Sequence, residues 1–351
     1  MTSSTQTEVF DAAPRRVSVP AGKKADLVLE GGGVKGIGLV GAVLTLHEQG
    51  YAFPRAAGTS AGAITAALVA ALQAAGKPLT LLEQYVNSVD YPRFQAEEWV
   101  QRALGPVGDA AELLMHMGIH SGDYLVEWLG GILEEIGITT FEQLRMDDPG
   151  SSLPEAFRYS LIVHTADITR RKVVRLPWDY PNYGLEPGRQ RIVDAVRASM
   201  SIPFFFEPVR LHAPSATYDG VTYTKGSVIW VDGGLLSNFP VEVFDRSDGQ
   251  PQRWPTIGIK LSARDTTIPA RGASGDTIHE AIDCLQTLLN NADRYYLTPD
   301  KVARTIFIDS TGINATDFGI TSEQRATLFT NGQQSASQWL EQHAAHPTAA
   351  V

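Results

Sequence analysis

The chain has 351 residues, 43% of them hydrophobic, enough for one large or two medium domains with a sizeable buried core. A formal net charge of -10 argues against a nucleic-acid backbone as partner, and it repels an anionic membrane surface wherever no basic or apolar patch overrides it. The single cysteine, Cys284, excludes an internal disulfide and reads as a small buried hydrophobe on a helix.

Residues 1–24 carry an Arg15-Arg16 pair and lack the continuous apolar core of a secretory signal, and no run is long enough to span a bilayer. The expectation is a soluble, cytoplasmic protein with a flexible N-terminal arm. Ala25 to Glu30 is strand-like and empties into Gly31-Gly32-Gly33-Val34-Lys35-Gly36, after which a helix runs from Ile37 to Gln49 and stops at Gly50. Strand, glycine turn and helix start make a nest of backbone N–H groups suited to an anion: a phosphate cradle, an oxyanion hole, or no more than a tight turn. Gly31, Gly33 and Gly36 satisfy the dinucleotide spacing, but that fingerprint wants an acid about 20 residues on, and Phe53 to Ala57 offers Arg55 and no carboxylate. The P-loop pattern fails because Ile37 follows Gly36. The oxyanion reading therefore ranks first. Lys35 opposes the dipole in the first turn of its helix, so it holds the loop, attracts an anionic headgroup, or is simply solvated.

The next strand, around Phe53 to Ala57, leads into Gly58-Thr59-Ser60-Ala61-Gly62 and a helix from Ala63 to Ala75. A G-x-S-x-G at a strand-to-helix junction matches a nucleophile elbow, which makes Ser60 the leading nucleophile candidate; a helix cap in a tight turn is the bland alternative. In a parallel sheet the glycine loop and the elbow open on the same carboxyl edge. Residues 78–150 read as a mostly helical cap or lid, with apolar stretches at Glu112 to Met117 and Tyr124 to Ile136 and a capping box at Thr139 and Glu142. Arg158 to Asp167 and Lys172 to Leu176 read as paired strands. Trp178 to Tyr183 reads first as a rigid surface crossing and second as a wall of a long-chain acyl pocket, while Phe204 to Phe206 pack in the core or line that apolar cleft. A strand over Ser227 to Val231 ends in Asp232-Gly233-Gly234. Strand 256–261, helix 277–296, strand 305–308 and helix 321–339 then complete an alternating pattern. The class is α/β: a three-layer α/β/α architecture with a mostly parallel sheet, one domain over 25–343 and a frayed tail over 344–351.

The glycine run, the elbow and Asp232-Gly233-Gly234, together with Ala198-Ser199-Met200-Ser201-Ile202-Pro203-Phe204-Phe205-Phe206-Glu207-Pro208, resemble the patatin-like phospholipase family. Its pattern is G-G-G-x-[RK]-G, G-x-S-x-G, A-S-x-x-x-P-x-x-F-x-P and D-G-[GA], in that order. The resemblance implies a Ser-Asp dyad with Ser60 as nucleophile and Asp232 as base, and an oxyanion hole from the backbone of Gly31, Gly32 and Gly33. It further implies a phospholipid or other acyl-ester substrate, transient contact with a membrane surface, and neither cofactor nor metal. Glu30 stands where many members have aspartate. Lys35 replaces the commoner arginine, keeping the charge and losing the fork that binds two oxygens. Residues 78–150 and 245–351 carry no matching block.

A dyad demands much of its acid, because a solvated carboxylate with a pKa of about 3.9 is a poor base for a hydroxyl. Ile229, Val231 and Leu235 are expected to desolvate Asp232 and raise its proton affinity. Three other readings remain: a Ser-His-Asp carboxylesterase with a late histidine such as His279, an acyltransferase using the same residues, and an inactive phosphate-binding module. His47, His116, His120, His164, His212, His343 and His346 read as core or surface residues.

Overall fold

The computed structural model describes residues 16–94, 122–218, 220–262 and 297–345. Eight strands form one sheet: β1 (Asp26–Leu29), β2 (Ala56–Thr59), β3 (Leu161–Asp167), β4 (Lys172–Leu176), β5 (Val209–Ala213), β6 (Gly226–Asp232), β7 (Thr256–Lys260) and β8 (Thr305–Phe307). Their spatial order is β8-β7-β1-β2-β3-β6-β5, with β4 paired to β3. From β8 to β3 the strands are parallel. β4 and β6 run antiparallel to β3, and β5 antiparallel to β6. Every residue of β1, β2 and β3 is buried, the signature of strands covered on both faces, and the architecture is three-layer α/β/α as expected.

The layers are built by α1 (Gly36–Glu48), α2 (Ala61–Ala75), α3 (Leu81–Asn87), α4 (Asp123–Ile136), α5 (Ile192–Ser199), α6 (Pro299–Ala303) and α7 (Ser322–Ala345). α1 lies along α7, and α2 packs on β2, β1 and β3. Alanines dominate α2, and its approach to the sheet is close enough that a Cβ on Gly62 would fall 2.3 Å from the Leu29 carbonyl oxygen. A Cβ on Gly58 would in turn fall 2.3 Å from the Gly62 carbonyl. The two glycines of G-x-S-x-G are thus required by close backbone contact, Gly62 with β1 and Gly58 with the start of α2, independently of any chemistry.

One feature of the sheet decides the position of the site. β4 pairs with β3 over Val163 to Asp167 and so occupies one edge of that strand. β2, which ends with Thr59 against His164, and β6, which ends with Asp232 against Thr165, must then share the other edge. They approach each other head to head, and their last residues pair with two consecutive residues of β3.

Other details differ from expectation. The capping box is Thr140 with Gln143, one residue on from Thr139 and Glu142, and it opens a 3-10 turn over Phe141–Leu144. Tyr180 and Tyr183 are core residues: Tyr183 donates to Asp167 Oδ2 at 2.9 Å and its ring meets Trp230 edge-on. Arg55 lies at the other end of β1 and β2, buried and bidentate on Asp26, and stacked over Phe244 at 4.6 Å. Of the cap, α4 buries Leu125, Leu129, Ile132, Leu133 and Ile136, the one-sided stripe of a helix docked on its neighbours α2 and α5. Glu112 to Met117, the helix at 277–296, Cys284, and both termini at 1–15 and 346–351 lie outside the described residues.

Two alanine substitutions should separate contact from propensity. Gly62→Ala should lower stability by about 1–3 kcal/mol, because backbone must move to admit the methyl group. Gly131→Ala, inside α4 with nothing within 4 Å of the added Cβ, should instead raise stability by about 0.5–1 kcal/mol. Urea denaturation midpoints of the two variants and the parent protein check both signs.

Candidate active site

Ser60 caps α2 with φ 53 and ψ -122, a positive φ that a side-chain-bearing residue rarely adopts. The strain belongs to the sharp strand-to-helix turn, and such strain persists only where the surroundings fix it. They do so here: the Ser60 N–H donates to Ser199 Oγ at 2.8 Å, whose own hydroxyl donates to the His164 carbonyl at 2.6 Å. Thr59 Oγ1 donates to the Ser237 carbonyl at 3.0 Å. Among the described residues the N–H groups of Ala61 and Gly62, at the start of α2, have no acceptor.

Asp232 ends β6 and is 2% exposed. Its N–H donates to the Ser201 carbonyl at 2.8 Å, and its Oδ1 accepts the Gly234 N–H at 2.7 Å. Oδ2 has no completed hydrogen bond among the described residues. Burial pushes the pKa of this carboxyl up to about 7; the Gly234 N–H and then the Ser60 hydroxyl pull against it. The Ser60 hydroxyl is thus near enough to influence the carboxyl, although Oδ2 lacks a completed hydrogen bond. Desolvation is the largest influence on the acid and sets its proton affinity.

The glycine run bends beside them. Gly31 is clamped by Asn238, whose carbonyl accepts the Gly31 N–H and whose Nδ2 donates to the Gly31 carbonyl, each at 3.1 Å. Val34 N–H donates to the Ala315 carbonyl at 3.0 Å and Lys35 N–H to the Gly32 carbonyl at 3.1 Å. Gly33 has φ +55, and a Cβ there would sit 1.9 Å from the Ala315 oxygen, so only glycine fits. Among the described residues the N–H groups of Gly32 and Gly33 have no acceptor. Beneath the bend Glu30 is buried, taking the ammonium of Lys260 and the N–H of Leu261. Lys35 is half-buried; burial holds its pKa down, with Glu30 opposing and Lys260 reinforcing that shift.

A profile of the family described as Patatin-like phospholipase matches residues 27–245, which spans all these loops up to Asn238. The chain belongs to the patatin-like phospholipase family. Among its relatives, YqhO of Bacillus subtilis (strain 168) is 30% identical over 318 residues, covering 90% of this chain and 98% of that protein. The NTE family protein Rv2565 of Mycobacterium tuberculosis is 26% identical over 265 residues, 75% of this chain but only 34% of that longer protein. The crystal structure of VipD from Legionella pneumophila superposes with a TM-score of 0.50 at 18% identity, covering 92% of this chain and 67% of that one, and shares the fold.

Within this patatin-like site, Ser199, Asn238, Lys260 and Ala315 are positioning groups that reading the sequence in order did not single out. Ser199 stood inside a recognised block, but its bond to the elbow depends on where α5 ends. His164, though beside Thr59 in the sheet, is buried with Nδ1 unpartnered, and burial holds its pKa down to about 3. Among the described residues no cluster of three or more His, Cys, Asp or Glu side chains could hold a metal ion. No described helix is long and apolar enough to cross a membrane.

The raised pKa of Asp232 carries a stability consequence. Between 3.8 and about 7 the native state keeps a proton that the unfolded chain has released, so the contribution of Asp232 is greatest below that window and falls as pH rises through it. Asp232→Asn should therefore be more stable than the parent at pH 8, by on the order of 2 kcal/mol, with the gap closing toward pH 4. Urea denaturation of both proteins at several pH values measures the difference.

Proposed function

We propose that the protein is a serine acyl-ester hydrolase acting on lipids, of the phospholipase A or lysophospholipase type, with Ser60 as nucleophile and Asp232 as its base. The observation that carries this reading is the meeting of β2 and β6 on one edge of β3, which brings a strained serine to an acid whose outer oxygen is unpaired and whose pKa is about 7. A carboxylate with that proton affinity is a far better base than a solvated one.

In the first half-reaction Asp232 takes the Ser60 hydroxyl proton as Oγ bonds to the ester carbonyl carbon. The carbonyl oxygen becomes an anion, received by the N–H groups of Gly32 and Gly33, with the start of α2 beside them; each such donor contributes about 3 kcal/mol in comparable sites. Gly31 serves as the clamped hinge of the bend, since its own N–H is committed to Asn238. The tetrahedral adduct collapses by breaking the bond to the alcohol oxygen, which leaves with the proton held by Asp232. Water then gives a proton to Asp232 and attacks the acyl-enzyme, and collapse returns that proton to Ser60 and frees the acid. Lys35, half-buried beside the loop, is the cation offered to the anionic part of a headgroup.

The reading makes a joint demand. Ser60→Ala and Asp232→Asn should each lower kcat/KM for ester hydrolysis by at least about three orders of magnitude with folding intact, and no single histidine substitution should do so. Because the base works ionised, kcat/KM should climb with pH along a limb centred near 7 and be lost as pH falls below it. A fluorophosphonate probe should label Ser60 in the parent protein. Loss of activity in a folded histidine variant, with Asp232→Asn still active, would transfer the assignment to a triad.

A further inference from the structure

An apolar cavity opens directly behind the elbow and the glycine bend. Its wall includes Gly33 and Gly36 of the bend, Ala61 next to the nucleophile, and the rings of Phe94, Phe206 and Phe318. Thr65 contributes a polar atom, but its hydroxyl is turned to the Ala61 carbonyl at 3.3 Å. Neither Phe204 nor Phe205 lines the cavity, and neither do Trp178 to Tyr183, so the acyl wall suggested by those aromatic stretches is reduced to Phe206. The cavity volume is about 30 Å³, room for about two or three water molecules.

The three rings close on one another, with centroids 5.7 Å apart for Phe94 and Phe318, 6.2 Å for Phe206 and Phe318, and 6.0 Å for Phe94 and Phe206. Phe94 is also held edge-on by Tyr124 at 4.9 Å, and Phe206 sits a few residues past Ser201, which holds the Asp232 backbone. Phe318 comes from elsewhere: a loop beyond the family-matched residues 27–245. That loop is pinned by Ser310 Oγ donating to the Leu261 carbonyl at 2.7 Å and by Asn331 Nδ2 donating to the Asp309 carbonyl at 2.8 Å. Its Ala315 carbonyl holds the glycine bend, and three residues later Phe318 is 5% exposed in the cavity wall.

Resting on the hydrolase reading, we propose that Phe318 is the residue that limits acyl length at this site. An acyl group held on Ser60 extends past Ala61 into the apolar cavity that Ala61 lines, and a short one ends before the rings. A longer chain must displace a ring, and Phe318 is the member of the trio carried on a separate loop. Removing its ring merges that volume with the cavity and relieves long acyl groups selectively.

The test is a chain-length series of p-nitrophenyl esters, butyryl to decanoyl, on the parent protein, Phe318→Ala, Phe318→Leu and Phe318→Trp, each checked for cooperative unfolding. The decanoyl-to-butyryl ratio of kcat/KM should rise on the order of tenfold in Phe318→Ala, rise less in Phe318→Leu, and fall in Phe318→Trp. Phe318→Leu, the milder change, carries the test if the alanine variant does not fold. A ratio unchanged within about twofold in the folded variants, with parent Ser60 labelled by the fluorophosphonate probe, overturns this inference alone. Failure of parent Ser60 to label overturns the hydrolase reading and this inference with it.

Discussion

Everything at this site depends on two strand ends sharing one edge of β3. A sheet edge has a fixed repeat, so strands that stop against His164 and Thr165 bring Ser60, one residue past β2, and Asp232, the last residue of β6, to nearly the same point. What the loops add is orientation. The Ser199 hydroxyl bridges the Ser60 N–H and the His164 carbonyl, and Thr165 Oγ1 donates to the Val231 carbonyl at 2.6 Å, so elbow and acid are both referred to the same stretch of β3. Each bond is worth only about 1 kcal/mol in net stability, but together they leave the strained serine one conformation.

Three of the buried carboxylates in or next to the sheet illustrate how differently such groups are partnered. Asp26 is matched by the Arg55 fork; burial still raises its pKa, to about 6, but both oxygens are engaged. Glu30 is likewise consumed, by Lys260 and the Leu261 N–H. Of these three, Asp232, with one oxygen on a backbone N–H and the other without a hydrogen bond among the described residues, is the acid whose burial no cation offsets. A group in that state costs stability when ionised, and such a cost is characteristic of a residue kept for reactivity.

How legible was this in the sequence? The elbow, the glycine bend and the strand-end aspartate could be read because each is a local pattern whose backbone requirement is met within a few residues, and the alternation of strands and helices carried the layer architecture with it. The supports could not. Asn238 meets Gly31 across 207 residues and Lys260 meets Glu30 across 230, and neither spacing leaves a mark in the chain. Local reading also failed by small steps, as at Thr140, where the capping partner proved to be Gln143, and it failed for the aromatic stretches because composition does not say which way a ring faces. Phe206 enters the cavity while Phe204 and Phe205 do not, and Tyr183 is drawn into the core by Asp167.

The long-range supports divide in an informative way. Ser60 and Asp232 are held by residues between Thr59 and Ser237, all inside the stretch shared across the family. The glycine bend is held partly from outside it: Leu261 lies against Gly32, Lys260 pairs beneath Glu30, and Ala315 receives Val34. The proposed nucleophile and acid are thus held by the shared core, whereas the proposed oxyanion cradle, in part, and the ring of Phe318 in the cavity wall rest on the following hundred residues. Chains alike in the first part can retain the same two reacting groups and still differ in how firmly the amides are presented and how much acyl chain is admitted. In this protein both properties pass through a single short loop, since the backbone at Ala315 and the ring at Phe318 are only three residues apart and cannot move independently over that distance.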